Sequence, residues 1–96
     1  MNNKWETYNP QWLVESAKRH IPDKPEIIQA LTKCIQARVK SKAYIYFVDN
    51  KNPNQPDSEW QIEENIVLED EEHGTIVLDV LKGNRIGGVE FLKHLK

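Results

Sequence analysis

Residues 74–92, GTIVLDVLKGNRIGGVEFL, constrain the fold more than any other stretch, because two apolar runs flank a short polar segment containing glycine. Side chains of an extended chain alternate between faces, so Ile76, Leu78 and Val80 share one face and Val77, Asp79 and Leu81 the other. Lys82 to Arg85 supply the reversal, and Ile86, Val89, Phe91 and Leu92 rebuild an apolar strand. The pattern predicts a β-hairpin at the centre of a sheet.

Upstream, the spacing predicts two helices. Asn9 before Pro10 is a start signal: the Asn side chain accepts from first-turn amides, and Pro at the first helical position loses no hydrogen bond. Trp12, Leu13, Ser16, Ala17 and His20 follow on one helical face, and Ile21 with Pro22 closes it. Asp23 with Glu26 three residues on has the spacing of a capping box, and Ile27, Ile28, Leu31, Cys34 and Ile35 recur at three-to-four spacing. This predicts a longer amphipathic helix with Lys33, Arg38, Lys40 and Lys42 in its last turns, where cations complement the helix dipole.

Residues 43–49, AYIYFVD, are aromatic and β-branched and predict a first strand. Residues 50–58, NKNPNQPDS, have loop chemistry and are the expected mobile segment, as residues 1–8 are the expected loosely ordered arm. Residues 59–69 predict a second strand with Trp60, Ile62, Ile66 and Leu68 on one parity. Glu64 interrupts that parity, which calls for a bulge near Glu63 or two shorter pieces. An acidic turn at 70–74 leads into the hairpin. The expected architecture is α+β, two helices packed on a four-stranded antiparallel meander in the order ααββββ. Leu31, Ile35, Leu78, Val80 and Phe91 are its expected core.

Ninety-six residues make one domain. A single cysteine excludes an internal disulfide, no run approaches the roughly 18 apolar residues of a membrane span, and the first residues carry no apolar signal core. A cytoplasmic protein is expected. No cofactor or metal is expected either: His20, His73 and His94 fall in a helix end, a turn and a tail, without a second ligand at metal-binding spacing. His73 beside Glu71 and Glu72 has the residue types of an acid–base pair, yet neighbouring turn residues diverge. Cys34 reads as a buried small hydrophobe, and GNRIGG lacks the Lys-Ser/Thr of a phosphate loop. A non-enzymatic protein is expected.

Charge is unevenly spread. Residues 46–74 hold nine acids, Asp49, Asp57, Glu59, Glu63, Glu64, Glu69, Asp70, Glu71 and Glu72, against the single cation Lys51, although the net charge is only −2. Half-exposed strands need polar residues, but Glu is disfavoured there and like charges repel, so a block this dense suggests a basic partner. The candidate binding residues are Asp57, Glu59, Trp60, Glu63, Glu64, Glu69, Asp70, Glu71 and Glu72, with Trp60 as an aromatic anchor.

The end of the chain, DEEHGTIVLDVLKGNRIGGVEFLKHL, resembles the C-terminal pattern of small bacterial immunity proteins of polymorphic and contact-dependent growth inhibition toxin systems. Those proteins place an acidic turn, a strand, a Gly-containing turn and a GGVEF-like strand in succession. The resemblance covers about a quarter of the chain. It implies an inhibitor that binds and neutralises the C-terminal domain of a cognate toxin, often a nuclease; no residue roles carry over. The alternatives are a nucleic-acid-binding or nuclease module using Arg38, Lys40 and Lys42 at the end of the second helix, or a regulatory protein-binding domain.

Overall fold

A computed structural model describes residues 4–95. Two helices, α1 (Gln11–His20) and α2 (Pro25–Thr32), pack on one antiparallel sheet of six strands. The strands are β1 (Glu6–Thr7), β2 (Gln36–Ser41), β3 (Tyr44–Tyr46), β4 (Ile62–Asp70), β5 (Gly74–Leu81) and β6 (Arg85–Phe91), in the spatial order β1-β2-β3-β6-β5-β4. The α+β class is as expected, but the four-stranded ααββββ meander is not: two further strands extend the sheet, and β3 pairs with β6 rather than with β4.

The extra strands come from the arm and from the second helix. Of the arm expected over 1–8, residues 1–3 lie outside the described ones, and Glu6–Thr7 pairs with Ala37 and Gln36 of β2. The second helix stops at Thr32: the Lys33 amide reaches back only to Ala30, the Cys34 amide to Leu31, and the chain then extends. Arg38 and Lys40, expected on a helix, therefore stand on β2, with Arg38 opposite Tyr46, and Lys42 sits in the turn to β3. Two-sided strand pairing outweighs the helical spacing of Cys34, Ile35 and the residues beyond. Ile35, expected in the core, is 59% exposed.

The helix starts obey partly different rules. The expected Asn9 cap with Pro10 in the first turn does not form as such: Pro10 is itself the capping residue, without a side-chain cap, and Asn9 Oδ1 accepts from the Gln11 amide at 3.0 Å one position before it. The expected capping box at Asp23 does not form; Pro25 alone marks the first turn of α2. Leu13, Val14 and Ala17 from α1 and Ile27 and Leu31 from α2 then meet Ile66, Leu68, Ile76, Leu78, Val80, Ile86, Val89 and Phe91 of the sheet in the main core.

A smaller cluster, Tyr46, Trp60 and Leu81 with Tyr44, Val48 and Ile62 beside it, lies apart, and neither helix contributes to it. Of the two alternatives for the interruption near Glu63, the bulge is the one that forms, and it accounts for this. Registry slips between Ile62 and Glu64, and the extra residue sends Trp60 and Ile62 to the second cluster while Ile66 and Leu68 stay in the first. The single parity expected for these four residues is thereby divided. A matching slip where Asp79 and Val80 face Gly88 and Ile86 leaves Gly87 as the extra residue of β6, under the Trp60 ring. Gly83 and Asn84 make the intervening turn with φ of +84° and +58°, which favours glycine and asparagine.

Candidate functional site

Strand β4 ends the sheet, so its outer side has no neighbouring strand among the described residues. Along it and the following turn, Glu63, Glu64, Glu69, Glu71 and Glu72 are all exposed. Asn65 and Val67 stand between them, and Val67 is 59% exposed. Thr75 donates to Glu69 at 2.8 Å, and Lys93 donates to the Glu72 carbonyl at 3.0 Å. Five of the nine predicted binding residues thus form one acidic flank.

The other four have different surroundings. Asp57 lies in the 50–58 loop at a φ of +73°, and Glu59 meets Arg85 through its carbonyl at 2.6 Å and its carboxylate at 4.0 Å. That loop is tied together by its own polar groups: the Asn54 amide donates to the Trp60 carbonyl, Ser58 Oγ to the Lys51 carbonyl, and the Ile62 amide to Asn54 Oδ1. Trp60 is only 6% exposed and meets Tyr46 edge to face, with ring centres 5.7 Å apart. Its aromatic surface is spent on the fold.

Asp70 is buried as well. Its Oδ2 accepts from the Glu72 amide at 3.1 Å and the His73 amide at 2.9 Å, and His73 Nδ1 lies 2.8 Å away. Arg19 of α1 approaches the other oxygen at 4.0 Å. The fully buried Ser16 hydroxyl is close enough to favour the same carboxylate without closing a full hydrogen bond. Burial would raise the Asp70 pKa, but the His73 side chain and amide, the Glu72 amide and Ser16 outweigh it, so the net shift is downward. His73 stacks on Trp12 with centres 4.0 Å apart, and Trp12 Nε1 donates to the Tyr8 hydroxyl at 2.8 Å. Instead of joining Glu71 and Glu72 in an acid–base pair, His73 helps Asp70 fasten the β4–β5 turn to α1.

The sheet face away from the helices holds a network that sequence reasoning did not single out. Asp79, 4% exposed, accepts from the Tyr44 hydroxyl at Oδ2 and from Asn65 Nδ2 at Oδ1, the latter at 2.7 Å. Gly88 makes room for it, since a Cβ there would fall 2.6 Å from the Ile45 carbonyl and 3.1 Å from the Tyr44 ring. Burial pushes the Asp79 carboxyl above its ordinary range, opposed by the two donors, and burial with the Asp79 charge does the same to Glu90. The Tyr44 phenol is also held high, by burial, by its bond to Asp79 and by nearby negative charge. A lone acid in an apolar β-strand, across from paired glycines, was the available signal.

The two aspartates therefore act oppositely on stability as pH changes. The lowered Asp70 pKa stabilises the fold above the ordinary value of 3.8 and ceases to do so as pH falls through the folded value beneath it. The raised Asp79 pKa contributes below 3.8 and is lost as pH rises through a folded value above it. Carboxyl-carbon NMR should show Asp79 titrating later than Asp70 as pH rises. Asp70→Asn should cost about 1.5–3 kcal/mol in urea unfolding at neutral pH, with the deficit shrinking in acid.

Of the three cations of the alternative reading, Arg38 and Lys40 are engaged toward the far edge, and Lys42 is exposed in the turn before β3. Arg38 donates to Asn50 at 3.1 Å, approaches Asp49 at 3.9 Å and lies over the Trp5 and Tyr46 rings, while Lys40 lies over Tyr46. Cys34 lines a cleft of about 770 Å³ beside α2 with Phe47 and Ile86, and burial pushes its thiol up to about 12. Among the described residues no three His, Cys, Asp or Glu side chains are grouped to hold a metal, and no helix is long and apolar enough to cross a membrane. Comparison with protein-family models, curated proteins and solved structures returns no match.

Proposed function

We propose that the protein is an immunity-type inhibitor that acts in the cytoplasm by binding a basic bacterial toxin domain, of the nuclease class, against its acidic flank. The observation that carries this reading is the row of exposed glutamates, Glu63, Glu64, Glu69, Glu71 and Glu72, along one free sheet edge and its turn. A concentrated negative surface speeds encounter with a cationic cleft and disfavours wrong partners. The resemblance of residues 70–95 to immunity proteins supplies the kind of partner. Trp60 and Asp70 are excluded from direct contact by burial, which leaves the five glutamates with Asp57 and Glu59 as the binding set.

The test is association with the toxin domain encoded next to this gene, measured by stopped flow across salt. Raising ionic strength from about 0.05 to 0.5 M should slow association about ten-fold or more and change dissociation less. Glu71→Lys with Glu72→Lys should reproduce the slowing. Salt-independent association, unaffected by the reversals, would remove the acidic flank from the function. Binding of a generic RNA, weakened by Arg38→Ala with Lys40→Ala, would favour the nucleic-acid alternative instead.

A further inference from the structure

We infer that the partner is held by strand addition: an extended segment, with Lys or Arg alternating with small apolar residues, pairs with the outer side of β4. This rests on the inhibitor reading of the same flank and specifies how the partner meets it. β4 has nine residues and is the terminal strand, paired with β5 on its inner side from Ile62 to Asp70. In an antiparallel strand every second residue directs its amide and carbonyl away from its neighbour, so β4 offers a ready row of main-chain donors and acceptors.

Sheet edges are usually blunted by charged side chains, lysine above all, or by proline, shortness or a bulge. β4 carries no lysine or proline, its bulge lies at its first residues and Val67 stands exposed near its middle; its charges are all acidic, so they repel an acidic strand and not a basic one. The opposite edge differs, since two-residue β1 already covers the start of β2. A second copy is the wrong occupant: antiparallel self-pairing about Ile66 would set Glu63 against Glu69 twice, and like charges directly opposite repel. A basic, alternating strand sets its cations on the face that carries Val67 and Glu69, their charges toward the glutamate and their methylene stems along Val67, and its apolar residues on the helix-facing side beside Ile66 and Leu68. Main-chain pairing supplies affinity in such a mode, and the alternate side chains supply selectivity.

The probe is a heptapeptide alternating lysine and valine, added to the isotope-labelled protein. Its control carries the same side chains but is N-methylated at every second residue, in each of the two registers. Amide shifts and slowed hydrogen exchange should be confined to β4 and the turn after it, and one N-methylated register should bind at least about ten-fold more weakly. Glu63→Lys with Glu69→Lys, both exposed, should abolish binding while leaving the thermal midpoint nearly unchanged. Equal binding by both N-methylated peptides, shifts centred on Arg38 and Lys40, or no binding of the parent peptide would overturn strand addition. If that happens while toxin association stays salt-dependent, strand addition alone falls; salt-independent toxin association removes the inhibitor reading with it.

Discussion

Leu78→Ala should lower the unfolding free energy by about 2–5 kcal/mol, because the side chain is fully enclosed and its removal leaves a cavity that the sheet closes only in part. Leu78 sits on β5 between Ile66 of β4 and Val89 of β6, with all three residues in the helix-facing core. Strands on both sides fix the backbone here, so collapse into the space is restricted and the upper half of the range is expected. Urea unfolding of Leu78→Ala beside Ile35→Ala makes the comparison direct. Ile35 is mostly exposed and should cost under about 1 kcal/mol. Similar losses at both positions would contradict the sheet register and return Ile35 to the core.

Trp60→Ala should cost about 3–5 kcal/mol, as stability and not as binding. The ring is enclosed by Tyr46 and Leu81 and lies over Gly87, where a Cβ would come within 2.7 Å of it. Gly87→Ala should therefore destabilise by about 1–3 kcal/mol through overpacking, and most of that cost should vanish in a Trp60→Ala background, where the ring is gone. The double-mutant cycle measures this contact independently of hydrophobic loss. Additive costs would mean that the indole does not occupy the space above Gly87. Toxin affinity of Trp60→Ala, corrected for the folded fraction, should be nearly unchanged.

The parts of the fold legible in the sequence are those that depend on local alternation. The parity of Ile76, Leu78 and Val80, the turn at Gly83 and an interruption near Glu63, as a bulge or as two shorter pieces, follow from neighbouring residues; the sheet keeps the first two and resolves the third as a bulge. The second helix was misjudged because Cys34, Ile35 and Lys40 satisfy a helical period equally well. Pairing with β3 across the turn at Lys42 and Ala43, and with β1 far upstream, turns the segment into a strand. For the candidate site, spacing along the chain located the exposed acids of the flank but could not separate them from Asp70, whose carboxylate is consumed by its own turn. Asp79 escaped notice because its partners, Tyr44 and Asn65, come from two other strands.

The placing of β3 beside β6 gives the molecule a division that its single sheet conceals. β4, β5 and β6 follow one another through short turns and can zip locally, whereas β3 must find β6 after the whole of the 50–58 loop and both following strands have intervened. Contacts so remote in sequence carry a larger loop-closure entropy, so docking of the N-terminal half onto the C-terminal meander is the step expected to come last in folding. The loop at 50–58 is the seam between these halves. A chain nicked there would retain every strand whole, and its two fragments would each keep one side of the β3–β6 seam, ready to reassemble without a covalent link.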